Sequence, residues 1–318
     1  MPELSLGRLG HGAANVGNLY RAMTDDQAWA ILETAWAHGI RYFDTAPHYG
    51  LGLSERRLGA FLATKPRSQY LLSTKVGRLL RPNPDGVGRL DDEHDFAVPA
   101  SLKRVWDVSA DGVRRSLEES LERLGLAEVD IVYLHDPERF DLRRGLDESL
   151  PALAGLRGEG VVKAVGVGSM DNQALAAAAA SGMVDMLMVA GRFTLADQSA
   201  AHEVLPACRD NGVGIVAAAV FNSGLLASDL PSADARFDYA PVPPELLARI
   251  HRVVAACRDY DVALPVAALQ YPLQEPTVHS VVAGAERPEQ VEQNAVGVAA
   301  TVPAELWDRL RAEGLVDL

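Results

Sequence analysis

A short apolar run recurs eight times along the chain, and behind each run comes a longer amphipathic or irregular segment. The runs are an opening segment at residues 7–12, then IRYF, QYLLSTKV, VDIVYLH, VVKAVGVG, VDMLMVA, VGIVAAAV and TVHSVVAG. Strands separated by helical stretches must pair in parallel, because the chain crosses back each time. Strands buried on both faces read as continuous Val, Ile and Leu, as most of these do. Eight such units predict a single (β/α)8 barrel, opened by an N-terminal strand or hairpin and closed by extra C-terminal helices. The rival is an open doubly wound sheet, but no G-x-G-x-x-G follows the first strand. GVGSMD, after the fifth run, has a glycine pair without completing that fingerprint.

Local signals agree with this division. Thr24 is a good N-cap, Asp25 and Asp26 suit a first helical turn, and Gly39 suits a stop. Further helices are expected over residues 54–63, from Ser109 to Gly125, and at LPVAALQYP before the last strand. Residues 78–107 are rich in proline, glycine and charge without a clear period, and are expected to form a long loop of the functional kind. With no linker in view, residues 1–318 are expected to make one domain. The formal net charge of −13 argues against a nucleic-acid or anionic-membrane surface. The two cysteines, Cys208 and Cys257, cannot make a disulfide scaffold. The N-terminus lacks a signal-peptide pattern, and no apolar run reaches the length of a membrane span. A cytoplasmic protein is therefore expected.

Barrels of this kind build their sites at the carboxyl ends of the strands. The second strand ends at Asp44, the third at Lys75 and the fourth at His135, and Tyr49 lies just past Asp44. Taken singly, each has an ordinary structural role: turn residue, solvated cation, structural histidine, rim aromatic. Together they suggest a site, since a buried lysine needs a partner and Asp44 on the next strand supplies one. An ammonium beside a phenol stabilises phenolate and lowers its pKa from about 10, so Tyr49 is expected to be tuned by Lys75. His135 would orient a carbonyl or alcohol oxygen through a ring N–H. Such a group of residues moves one proton at a carbonyl–alcohol oxygen, and hydride transfer with a nicotinamide is the simplest companion step. None of these residues is read as a metal ligand.

RYFDTAPHYGLGLSE, LLSTKVG, VDIVYLHDP and AGAERPEQVEQN closely resemble the aldo-keto reductases over essentially the whole chain. The resemblance implies a (β/α)8 barrel, an Asp–Tyr–Lys–His tetrad at Asp44, Tyr49, Lys75 and His135, and NAD or NADP bound across the barrel mouth. STKVGRLLRPNP, LHDPE, AGRFTLADQ and VFNSGLL are similar to the branch of L-fucose and D-threo-aldose 1-dehydrogenases, with pyridoxal 4-dehydrogenases as neighbours. The implied activity is oxidation of an aldose at C1 to a lactone, with Tyr49 as general base. The alternatives are an aldehyde or carbonyl reductase, a pyridoxal 4-dehydrogenase, or a non-catalytic nucleotide-binding redox sensor.

At the cofactor, the usual Ser-Asn pair after the fifth strand is here Gly168 and Ser169, the glutamine after the sixth is Ala190, and the stacking tyrosine is Ala218. Phe221 would supply another apolar wall, and Asn222, Ser223 and Gly224 would wrap the pyrophosphate with backbone amides. The positions that carry a lysine and an arginine in NADP-specific members read Gly284 and Gln290, with Glu286 close by. Arg287 is the one cation able to pair with a 2′-phosphate, and Gln293 and Asn294 would hold adenine. NAD⁺ is thus expected to be preferred, with NADP⁺ usable. Substrate contacts are expected from His48, Trp106, His11, Asn15 and Arg192, a mixture suited to a sugar.

Overall fold

The computed structural model describes residues 4–238 and 240–317. Eight parallel strands close into a barrel: β1 (Leu9–Gly12), β2 (Tyr42–Asp44), β3 (Leu71–Val76), β4 (Ile131–His135), β5 (Ala164–Ser169), β6 (Met186–Ala190), β7 (Gly214–Ala218) and β8 (Val278–Gly284). Each strand pairs with its sequence neighbours, and β1 closes the ring against β8. The opening strand is therefore a stave of the barrel itself. Outside run α1 (Asp25–Ala37), α2 (Leu53–Leu62), α3 (Ala110–Leu124), α4 (Leu150–Gly158), α5 (Asn172–Ala180), α6 (Ala200–Asn211), α7 (Pro244–Arg258), α8 (Leu264–Gln270), α9 (Pro288–Ala299) and α10 (Ala304–Ala312). Among the described residues no helix is long and apolar enough to cross a membrane.

The helix boundaries follow from side-chain chemistry. Thr24 and Gln27 form a reciprocal capping box at the start of α1, satisfying two amides that lack helical partners. Ser109 accepts from the Gly112 amide at 3.1 Å to start α3, and Gly125, at φ +63°, ends it.

Side chains alternate along each strand, and the register decides which of them share a level inside the barrel. Asp44 stands opposite Ser73, Lys75 opposite Tyr133, and His135 opposite Gly168. Below, Tyr42, Ile131, Tyr133, Ala164, Met186, Met188, Val216 and Val282 fill the interior. Above them the last inward positions are Gly12, Asp44, Lys75, His135, Gly168, Ala190, Ala218 and Gly284, all of which line one cavity at the mouth.

The region 78–107 differs from the expected loop. Arg78–Pro82 pairs antiparallel with Leu102–Trp106, and Leu90–Asp91 with Phe96–Pro99. These ribbon strands are only two to five residues long, too short to stand out as a sequence period. A satellite core of Leu51, Leu80, Phe96 and Val98 holds them against the barrel mouth. A third short hairpin, Arg236–Phe237 with Ala240–Pro241, lies in the segment after β7.

Candidate active site

The cavity at the strand ends has a volume of about 1200 Å³. At its floor, Lys75 Nζ donates to Asp44 Oδ2 at 2.5 Å and to the Thr45 carbonyl at 3.1 Å. Both side chains are about 2–3% exposed. The other Asp44 oxygen accepts from Ser73 Oγ at 2.7 Å. A row of hydroxyls continues beneath it: Ser73 Oγ lies 3.0 Å from Tyr42 Oη, which lies 3.3 Å from Tyr133 Oη. Tyr133 in turn donates to Met186 Sδ at 3.0 Å. The row is wholly buried: Ser73 spends its proton on Asp44, which leaves Tyr42 to donate to Ser73, while Tyr133 donates away from them to Met186.

Tyr49 comes from the turn after β2. Lys75 Nζ sits 4.8 Å from the centre of its ring, and His135 meets the ring edge-on with centroids 6.0 Å apart. Burial raises the Tyr49 pKa and Lys75 opposes it, and the balance is a phenol pushed up to about 12. This corrects the expectation of a lowered phenol: the ammonium reduces the effect of burial without overcoming it. Burial also works against the charge on Lys75, but the Asp44 carboxylate and then Tyr49 more than restore it, so its pKa is raised. Burial, followed by the charges of Arg78 and Lys75, holds His135 well below the usual histidine range. It is therefore a neutral imidazole with one N–H to offer.

Next to His135, Asp136 adopts a left-handed backbone with φ +46°. Its Oδ2 accepts from Arg78 at 2.5 Å and lies 3.6 Å from His135 Nε2 and 3.9 Å from Arg139 Nε. Arg78 is itself braced: its guanidinium lies 4.3 Å from the Trp106 ring centre, and Trp106 stacks on Phe140. His48 packs edge-on against His135, His94 and Phe96.

Of the expected substrate residues, His48 and Asn15 line the cavity, whereas His11, Trp106 and Arg192 lie outside its wall. His11 falls between Gly10 and Gly12, whose positions face the barrel axis, so strand alternation turns it outward. There it packs against Phe43, and burial holds its pKa at about 4. Trp106 acts on Arg78. Arg192 is engaged with Asp197 at 3.1 Å, Asp238 at 2.7 Å and the Met170 carbonyl at 2.9 Å. Sequence reasoning passed over Asp136, Arg139, His94, Phe96, Met170 and Met188, which also line the cavity. Only Asp136 carried a signal, as the polar residue directly after a strand-end histidine.

The rest of the wall comes from the expected cofactor positions. Ser169, Phe221, Asn222, Ser223, Gly224, Gly284, Arg287, Gln290, Gln293 and Asn294 all line the cavity, as do Gly168, Ala190 and Ala218. Asn222, Ser223 and Gly224 have successive positive φ values of 42°, 56° and 91°. Asn222 Nδ2 donates to the Gly191 carbonyl at 3.1 Å, while its buried Oδ1 has no partner. Gln290 Oε1 accepts from the Glu286 amide at 2.7 Å. Arg287 leans toward Glu289 at 3.8 Å. Arg21, unremarked in the sequence, donates to the Glu286 carbonyl at 3.0 Å and approaches its carboxylate at 3.8 Å. Among the described residues no group of three or more His, Cys, Asp or Glu is arranged to hold a metal ion.

The closed parallel barrel agrees with the family comparison: residues 8–313 match the Aldo/keto reductase family, and the chain belongs to it as an oxidoreductase. It is 57% identical to a D-threo-aldose 1-dehydrogenase of Pseudomonas sp, over 98% of this chain and 95% of the relative. It is 38% identical to a pyridoxal 4-dehydrogenase of Microbacterium luteolum, again over 98% and 95%. Among solved structures, the aldo-keto reductase AKR11C1 from Bacillus halodurans (holo form) superposes with a TM-score of 0.76 at 26% identity, over 99% of this chain and 94% of that one.

Proposed function

We propose that the protein oxidises an aldose at C1 to the lactone, using NAD⁺ or NADP⁺, with Tyr49 as general base. The observation that carries this reading is the meeting of Tyr49, Lys75, Asp44 and His135 at one end of a single cavity. Similarity to a D-threo-aldose 1-dehydrogenase supports the substrate class. Residues 1–318 act in this reading as one barrel domain. A reducing cytosol suits its two buried free cysteines.

The residues present fit a nicotinamide dinucleotide. Gly168, Ala190 and Ala218 leave a shallow floor beside Lys75, and the Asn222–Gly224 turn offers a concave backbone surface with an unsatisfied buried amide oxygen beside it. When bound, the oxidised nicotinamide supplies the acceptor for the C1 hydride. His135, neutral, donates its N–H to the C1 oxygen and fixes it near Tyr49. Tyr49, as phenolate, takes the hydroxyl proton. Lys75 offsets part of the cost of that negative charge, and Asp44 keeps Lys75 charged. Run in reverse, the same residues protonate a carbonyl.

At the adenosine end, NAD⁺ is preferred and NADP⁺ is the second choice. Glu286 repels a 2′-phosphate, Gly284 and Gln290 bring no charge, and the cations near it, Arg21 and Arg287, lie beside Glu286 and Glu289.

Initial rates with L-fucose, D-arabinose, L-galactose and pyridoxal, each with NAD⁺ and NADP⁺, test the reading. Tyr49→Phe is expected to lower kcat by about a hundredfold or more while nucleotide binding survives. Near-normal turnover in that variant removes Tyr49 from the chemistry, and turnover of pyridoxal alone replaces the aldose.

A further inference from the structure

We infer that Asp136 is a substrate-recognising carboxylate, which accepts a hydrogen bond from the hydroxyl on C2 of the aldose, one carbon from the reacting centre. The inference rests on the aldose reading and names which part of the sugar the site reads.

The placement is specific. Asp136 lines the cavity directly beside His135, and its Oδ2 lies 3.6 Å from His135 Nε2. In the proposed reaction that nitrogen holds the C1 oxygen. Oxygens on adjacent sugar carbons stand roughly a hydrogen-bond length apart, so a C1 oxygen at His135 brings the C2 oxygen within reach of Asp136. Arg78, Arg139 and His135 all lie on the Oδ2 side, and among the described residues Oδ1 accepts no hydrogen bond. A carboxylate with one oxygen anchored and one left over is suited to a neutral hydroxyl donor, since an ionised acceptor makes the stronger bond.

The surroundings are organised to keep it there. Asp136 holds a left-handed backbone that is unusual for a residue with a side chain, and such positions persist where the neighbouring structure enforces them. Its amide continues the barrel ladder by donating to the Gly168 carbonyl at 2.9 Å. Arg78 is buried against Trp106, which stacks on Phe140. The long excursion after β3 thus ends in a brace for Asp136: Trp106 serves substrate recognition through Arg78 and Asp136.

The experiment compares kcat/KM for an aldose and its 2-deoxy counterpart, in the native enzyme and in Asp136→Asn. Asparagine tolerates the left-handed backbone and removes the charge. The native enzyme is expected to favour the 2-hydroxy sugar by about tenfold or more, and Asp136→Asn to reduce that ratio to about threefold or less. Both sugars are measured on the same preparation, so the ratio does not depend on how much of the variant is folded. If Asp136→Asn yields no soluble protein, Arg78→Lys, which loosens the hold on Asp136, is expected to lower the ratio in the same direction. A native preference that the variant retains in full assigns the C2 hydroxyl to another residue and overturns the inference, as does a native enzyme indifferent to that hydroxyl. If no aldose is oxidised at all, the functional reading fails and takes this inference with it.

Discussion

Replacing Asp44 by asparagine leaves the Lys75 ammonium buried, with the Thr45 carbonyl and no anion. Breaking a buried pair from one side typically costs roughly 3–5 kcal/mol. The loss also has a ceiling, because Lys75 can release its proton instead. With an unfolded lysine pKa of about 10.4, deprotonation costs about 4.6 kcal/mol at pH 7 and about 2 kcal/mol at pH 9. In the native protein the Lys75 pKa is raised. Its contribution is therefore complete below the unfolded value, is lost only as pH climbs through the raised one, and is flat between pH 7 and 9. In the variant, burial without Asp44 depresses the folded pKa, so the penalty is largest at low pH and shrinks as pH rises toward the unfolded value. The stability gap between native protein and Asp44→Asn is thus expected to narrow from about 4 kcal/mol at pH 7 to about 2 kcal/mol at pH 9. Urea unfolding at pH 7, 8 and 9, comparing midpoints at a common slope, measures it. A gap that stays constant across this range would refute the idea that Asp44 is what keeps Lys75 charged.

Burial places Tyr49 at about 12, with Lys75 opposing it, so oxidation is expected to accelerate about tenfold per pH unit from pH 7 to 10. A plateau in kcat/KM for oxidation below pH 9 contradicts the assignment; reduction, which uses the neutral phenol, should stay flat. Glu286→Gln is expected to lower the ratio of kcat/KM for NAD⁺ over NADP⁺ severalfold. A native NADP⁺ preference of about tenfold or more that vanishes in Arg287→Ala reverses the proposed order. Gly59→Ala would place a methyl 1.9 Å from the Leu124 carbonyl oxygen, where α2 meets α3. It should lower stability by roughly 1–3 kcal/mol in urea with KM unchanged, and an unshifted midpoint argues against that close approach.

The staves and the four ionisable residues were legible because both obey strong local rules. Buried parallel strands write themselves as apolar runs, and a polar residue at or next to the end of such a run stands at the mouth. The caps at Thr24 and Ser109 were equally plain. Other features escaped for physical reasons. The ribbons at 78–107 are built from strands of two to five residues, so their alternation is too brief to stand out from a loop. The left-handed turn at Asp136 occurs at a residue type common in many settings. The tilt of the Tyr49 balance toward burial depends on how completely the loops cover the phenol, which no local pattern encodes. His11 and Arg192 look like ligands in one dimension; strand alternation and two aspartates direct them elsewhere.

The top level of the barrel is not symmetric. Its ionisable residues Asp44, Lys75 and His135 stand on β2, β3 and β4, while the levels contributed by β5 to β8 end in Gly168, Ala190, Ala218 and Gly284. The proposed proton handling is therefore encoded in the first half of the gene, and the bed for the proposed hydride acceptor in the second. The two chemistries share a wall but no stretch of sequence. Nucleotide preference and sugar preference are accordingly drawn mostly from different stretches of sequence, and Arg21, reaching Glu286 from the first half, is the link that a crossover within α4 would have to preserve.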